Sequence, residues 1–150
     1  MSNLSLVGFE DVNVGTGIPE LIKEITLEQF AMYSAVCWDF HPMHYDSATG
    51  QKLGFKEAFA DGPMLAAFLG QVATSWLGGQ SRIYRLKTRY LKPVFPGDTL
   101  YCSGSVLGKS DSPNHSIDCE VWANNQDGDR VASGIAVSYT HLTLPTNREV

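Results

Sequence analysis

The sequence predicts an α+β domain in which an antiparallel sheet wraps around one long buried helix. Three observations carry this reading. Residues 64–77 are apolar on nearly every side, with Leu65, Phe68, Leu69, Val72 and Trp76 among them, and a helix that is hydrophobic all round is a buried one. Four strand candidates follow, at residues 82–91, 99–107, 116–123 and 130–137, each carrying β-branched residues between turn signals. Asp127-Gly128 falls between the last two and is a dipeptide that tight hairpins favour. One buried helix followed by strands that must cover it calls for a sheet folded over the helix.

The other elements follow in chain order. Residues 9–25 mix Gly15, Gly17 and Pro19 with short apolar pieces, which suits a loop entering an edge strand around residues 20–24. Thr26-Leu27-Glu28-Gln29 has the pattern of a capping box, with Thr26 at the N-cap and Gln29 reaching back. Leu27, Phe30, Tyr33 (or Ser34) and Cys37 continue at helical spacing and bring the chain to Asp39. Asp46 is placed to cap a second, short helix running to about residue 53 and closed by Gly54, since glycine tolerates the left-handed turn beyond a helix end. Asp61-Gly62-Pro63 opens the main helix, with Pro63 in the first turn, where its missing N–H is harmless. Gly78-Gly79 are expected to end that helix. Pro93, Pro96, Gly97 and Asp98 form a tight turn between strands, each a residue type that turns select.

Bulk properties narrow the function. At 150 residues, with 43% hydrophobic and 18% charged residues, the chain suits one soluble domain with a real core. A formal charge of −5 argues against general nucleic-acid binding. No apolar run is long enough to span a bilayer, and Met1-Ser2-Asn3-Leu4 begins no secretory signal, so a cytoplasmic protein is expected. Cys37, Cys102 and Cys119 are odd in number and widely spaced, which reads as buried free thiols in a reducing compartment.

The chemistry centres on Asp39-Phe40-His41-Pro42-Met43-His44. Pro42 fixes its own backbone and pushes His41 out of the helical region. The segment is therefore a shaped loop that can aim Asp39 and His44 at one water. A carboxylate and a neutral imidazole on one water are the components of acid–base catalysis. Taken alone the spacing is not specific. Asp39, His41, His44 and Asp46 also offer nitrogen and oxygen donors to a metal, but they match no recognised helical ligand spacing, and no metal is expected.

Two further blocks supply context: Phe59-Ala60-Asp61-Gly62-Pro63-Met64, and Tyr90-Leu91-Lys92-Pro93-Val94-Phe95-Pro96-Gly97-Asp98-Thr99-Leu100. In order and spacing the three blocks resemble the MaoC-like dehydratases, the (R)-specific enoyl-CoA hydratases of the hot-dog fold. The likeness covers roughly residues 6–137. It implies a single hot-dog domain over residues 1–137. It also implies addition of water to trans-2-enoyl thioesters, or its removal from (3R)-hydroxyacyl thioesters. Asp39 and His44 would hold the water and move protons, and the Gly62 N–H would stabilise charge on the thioester oxygen. No cofactor is implied beyond the coenzyme A or phosphopantetheine that carries the acyl group. The partner would be an acyl-CoA or acyl-carrier-protein thioester, and the assembly a homodimer, with a heterodimer possible.

Two positions depart from the family pattern. His41 stands where asparagine is usual, and Asp61 where histidine is common. Both are placed with the substrate-binding residues. Asparagine donates and accepts without titrating, whereas histidine gains a charge near about pH 6–7. A carboxylate at position 61 would repel an enolate unless it turns away to cap the helix. Arg85, Lys87 and Arg89 alternate onto one strand face. They read as a phosphate-binding stripe for the thioester carrier, or as a solvated strand face. Phe30, Tyr33, Trp38, Phe40, Phe55, Phe59 and Met64 read as core, with a few lining an acyl tunnel. Two other functions stay open: a hot-dog acyl-CoA thioesterase, and a non-catalytic thioester-binding subunit of a heteromeric dehydratase. Many such thioesterases carry a carboxylate within the central helix, and residues 64–77 contain none.

The ending Val137-Ser138-Tyr139-Thr140-His141-Leu142-Thr143-Leu144-Pro145-Thr146 resembles a translated sequencing-library adapter. Residues 138–150 are accordingly read as a non-native tail, in which His141 and Arg148 carry no function.

Overall fold

The computed structural model describes residues 7–77, 81–111 and 115–140. Five strands form one antiparallel sheet: β1 (Gly17–Glu24), β2 (Ser81–Tyr90), β3 (Thr99–Ser110), β4 (Ser116–Asn124) and β5 (Arg130–Thr140). Their order across the sheet is β1-β3-β4-β5-β2, so β1 is an edge strand, as expected, and β2 is the other edge. Three helices accompany them: α1 (Leu27–Cys37), α2 (Ser47–Lys52) and α3 (Gly62–Ser75). Helix α3 contacts all five strands, which is the predicted wrapping of sheet around helix.

Alternation along the strands sets the core. Leu100, Cys102 and Val106 of β3 point to one face with Ile117, Cys119, Val121 and Ala123 of β4, and all are buried against α3. The intervening residues Asp118, Glu120 and Trp122 occupy the opposite, convex face, where Arg130 stacks over the Trp122 ring at 4.8 Å. Period-2 side-chain geometry requires this division. Leu65, Leu69, Val72 and Ala73 of α3 fill the concave side, and fully burying an aliphatic side chain of leucine size stabilises by about 1.5–3 kcal/mol. The β4–β5 hairpin turns at Gly128, whose φ of 80° favours glycine. Asn125 Oδ1 accepts the amides of Asp127 and Asp129 there.

Three details differ from expectation. Helix α3 is not buried all round. Pro63, Ala67, Gln71 and Ser75, spaced by four, form a narrow exposed stripe of small and polar residues. Its last helical residue is Ser75, and Gly78-Gly79 lie outside the described residues. On α1 only Phe30 and Ser34 are buried, while Leu27 is exposed. Cys37 is exposed as well, so the expectation of three buried thiols fails at that position. The reason is that α1 lies against the domain along one thin seam, and Cys37 falls outside it at the helix end. Strand β5 itself runs through Val137 without a break. Ser138 pairs with Ile83 on one side and Ile117 on the other. Residues 141–150, with His141 and Arg148, lie outside the described residues. Among the described residues no helix is long and apolar enough to cross a membrane.

Candidate active site

The site forms where α1 ends and α3 begins. The Thr26–Gln29 capping box starts α1 as predicted: the Gln29 amide donates to Thr26 Oγ1, and the Thr26 amide donates to Gln29 Oε1. Trp38 ends it in the left-handed conformation, with φ of 61°. That conformation costs a non-glycine residue roughly 1–2 kcal/mol. The Asp39 amide then donates to the Ser34 carbonyl at 3.0 Å. This sharp reversal sends Asp39 away from the helix axis.

Local hydrogen bonds shape the loop that follows. Asp39 Oδ1 accepts the His41 amide at 3.1 Å. His41 is extended, with φ of −68° and ψ of 118°, and its Nδ1 accepts the Met43 amide. Pro42–His44 make one tight helical turn, so the proline acts as the sequence requires. The Tyr45 hydroxyl donates to the Phe40 carbonyl at 2.8 Å and closes the loop.

His44 is the buried member, 4% exposed. Its Nδ1 lies 2.9 Å from the Phe59 carbonyl oxygen. A carbonyl only accepts, so Nδ1 carries a proton, and in the neutral imidazole Nε2 holds the lone pair. The Phe59 amide donates to the Met43 carbonyl, and the Phe59 ring meets the imidazole edge-on at 5.3 Å. The ring orientation is thus fixed from two sides.

The third block positions the start of α3. The Ala60 amide donates to the Val94 carbonyl at 2.8 Å. The turn around Val94 is itself tied down: Asp98 Oδ2 accepts the Phe95 amide, and Ile25 and the 97–98 segment exchange backbone bonds. Asp61 occupies the N-cap position but makes no side-chain cap bond. The second helical residue is Pro63, which has no N–H, and the Met64 amide is taken by Asp61's own carbonyl at 3.1 Å. The carboxylate is therefore free to turn elsewhere. It turns toward the loop: one oxygen of Asp39, one ring nitrogen of His44 and one oxygen of Asp61 all lie within 4.8 Å of one another. The Gly62 N–H, first in the helix, has no intrahelical acceptor. It adjoins a largely apolar cleft of about 320 Å³ lined by Phe55, Phe59, Gly62, Leu65, Tyr90 and Val94.

The structure brings Asp39, His44 and Asp61 together, with Gly62 the next residue along the chain. It keeps His41 beside them, its ring 6.4 Å from that of His44. It does not bring Arg85, Lys87 and Arg89 to the cluster. Leu86 and Tyr90 face the concave side, against the core and Gly62, so the alternating cations face the convex side. There Lys87 and Arg89 lie beside Glu120 and Ser133. Within this chain the sheet separates the stripe from the cluster. The four-residue metal reading also fails in its original form. Asp46 accepts the amides of Ala48 and Thr49 as the cap of α2, which holds its carboxyl below the usual range, the Thr49 side chain contributing most. His41 Nδ1 is likewise engaged. The donor set that remains for a cation is Asp39, His44 and Asp61.

Tyr90 escaped sequence reasoning. Its ring covers the Gly62 Cα, and its hydroxyl bonds Thr88 Oγ1 at 3.2 Å. Tyr33 of α1 lies near Asp61 and is hydrogen-bonded to Cys37. Burial pushes the Tyr33 hydroxyl well above the usual phenol range, helped by its hydrogen bond to Cys37 and by the charges of Cys37, Asp61 and Tyr90. Only the proline at position 63 hinted in advance that the Asp61 side chain would not cap its helix.

Residues 17–127 match the MaoC like domain. The chain belongs to the MaoC-like family. An (R)-specific enoyl-CoA hydratase of Rhodospirillum rubrum is 29% identical over 107 residues, covering 71% of this chain and 74% of the relative. The unliganded R-hydratase PhaJ1 of Pseudomonas aeruginosa superposes with a TM-score of 0.81 at 24% identity, over 96% of each chain. The ChsH1-ChsH2 complex of Mycobacterium tuberculosis contains a chain that matches with a TM-score of 0.80 at 22% identity, over 87% of this chain and 99% of that one. The two structural likenesses establish the hot-dog fold. The MaoC-like match places the chain in a hydratase/dehydratase family.

Proposed function

We propose that this MaoC-like chain adds water to trans-2-enoyl thioesters to give (3R)-hydroxyacyl thioesters, and catalyses the reverse dehydration. The observation that carries the reading is that an oxygen of Asp39 and a ring nitrogen of His44 lie within 4.8 Å of each other and of Asp61, the residue before Gly62. The water sits between Asp39 and His44. Asp39 accepts one of its hydrogens. His44 Nε2, kept as a lone pair by the Phe59 carbonyl, takes the other as the oxygen bonds to C3. The electron pair moves through C2 onto the thioester oxygen, where the Gly62 N–H and the start of α3 favour negative charge. The same proton returns from His44 to C2. Positioned acid–base groups contribute roughly 10²- to 10⁴-fold each, and one oxyanion donor about 10²- to 10³-fold. The apolar cleft at Gly62 takes the rest of the acyl thioester. The carrier is coenzyme A or phosphopantetheine, and no other cofactor enters.

Crotonyl-CoA incubated with the pure chain tests this directly. Loss of enoyl absorbance with a (3R)-hydroxy product supports it. Release of free thiol instead indicates a thioesterase, and no turnover by the chain alone indicates a subunit that needs an active partner. We further propose pairing with a second copy. Met32 and Val36, one turn apart on α1, are 69% and 84% exposed, an apolar surface of the kind that marks contact sites. Light scattering that returns a monomer at micromolar concentration would contradict this.

A further inference from the structure

Asp61 is the unexplained member of the cluster. Its carboxylate is excluded from helix capping by Pro63 and by the prior use of the Met64 amide, and it lies within 4.8 Å of the Asp39 and His44 donor atoms. The hydrogen-bond count is then unbalanced. Asp39, Asp61 and the His44 lone pair are all acceptors, while one water carries two hydrogens. The third acceptor faces whatever occupies the space beside C3. Asp61 is half-buried, so solvent reaches it when that space is empty. Among the described residues, no lysine or arginine is ion-paired with Asp39 or Asp61. Lys92, at the cleft, is held by Asp129 at 2.8 Å, and Arg85, Lys87 and Arg89 lie across the sheet. The other polar neighbours, Tyr33 and Cys37 of α1, Tyr90 of β2 and His41 of the loop, bring no fixed positive charge.

We propose that Asp61 is a specificity-determining residue: with Asp39 it makes the space around C3 and C4 refuse an acyl group that bears a carboxylate there and accept a neutral one. A substrate carboxylate in that space would displace the water around Asp61, offer no hydrogen in return and face two like charges. At about 5 Å and an intermediate effective dielectric, one such repulsion lowers affinity on the order of 10- to 100-fold. The inference rests on the thioester-binding reading above and names which acyl groups the site admits.

Butyryl-CoA and succinyl-CoA test it, because they share the carrier and differ at C4 by a methyl group against a carboxylate. Their affinities are measured by calorimetric titration for the wild-type chain and for Asp61→Asn and Asp61→Ser. Asparagine and serine are both accepted at N-caps, and circular dichroism checks that each variant is folded. The expected result is wild-type preference for butyryl-CoA by about tenfold or more. In both variants that gap narrows at least roughly fivefold through tighter succinyl-CoA binding. The proposal is overturned if the wild type binds both within about twofold, if it binds neither, or if folded variants keep the wild-type ratio. Crotonyl-CoA turnover is followed in parallel. A preserved binding preference with no turnover sinks the hydratase reading alone.

Discussion

A Gly62→Ala substitution puts a methyl carbon 2.7 Å from Cε2 of Tyr90 and 3.0 Å from its Cδ2 and Cζ. Comfortable carbon–carbon contact begins near about 3.5 Å, so the ring or the helix start must retreat by roughly 0.8 Å. The ring is not free to swing without loss, because its hydroxyl is bonded to Thr88 Oγ1 and its face lines the cleft. The helix start is pinned by the Ala60–Val94 bond. Overpacking of this kind costs about 1–3 kcal/mol of stability. A misplacement near 1 Å at a reacting group costs about 10²-fold in rate. The expected outcome is a fall in kcat for crotonyl-CoA hydration by about 10²-fold or more, with a lower denaturation midpoint. Adding Tyr90→Ala removes the atoms that clash, so the double variant should recover stability relative to Gly62→Ala alone, a coupling that a double-mutant cycle reads directly. Wild-type kcat and midpoint in Gly62→Ala would refute both the contact and the placement of the oxyanion donor.

Other outcomes follow from the same geometry. Asp39→Asn lowers kcat by about 10²- to 10⁴-fold and leaves stability within about 0.5 kcal/mol, since the side chain is exposed; near-normal turnover would remove Asp39 from the mechanism. His44→Ala lowers kcat as far and also destabilises, because a buried ring and its bond to Phe59 are lost; chemical denaturation separates the two effects. Leu69→Ala, at 0% exposure in the centre of α3, costs about 2–5 kcal/mol in denaturant titration, and a smaller loss would mean that the sheet closes around the gap. Burial pushes the thiols of Cys102 and Cys119 from their ordinary 9.0 up to about 11. The folded chain thus holds those protons more tightly than the unfolded one. Their contribution is complete below about pH 9 and is lost as pH rises toward about 11, so urea midpoints should fall across that window, and less so in a Cys102→Ala, Cys119→Ala double variant. Native-state alkylation at pH 8 should label the exposed Cys37 and spare the other two.

Much of the scaffold was legible because it depends on local rules. The capping box at Thr26 and Gln29, the Asp46 cap, the Pro63 helix start and the Gly128 hairpin each depend on backbone groups a few residues apart. Strand faces could be read because period-2 alternation assigns them. The same alternation set the Arg85, Lys87 and Arg89 stripe on one face, but which face met the helix depended on Leu86 and Tyr90 packing inward. The burial of α1 was over-read at Cys37, because helical spacing names a face without saying how wide the contact is.

The sequence by itself determined the α+β class, the order of elements and the bent loop at Pro42 on which the proposed pair, Asp39 and His44, stands. These follow from proline geometry, caps and hydrophobic period, which act over a few residues. Tertiary structure decided what the pair meets. The Phe59 carbonyl that sets the His44 tautomer, the Tyr90 ring over Gly62 and the inward turn of Asp61 join residues 15 to 28 positions apart. Such contacts depend on how the helix seats in the sheet, and no local pattern encodes that.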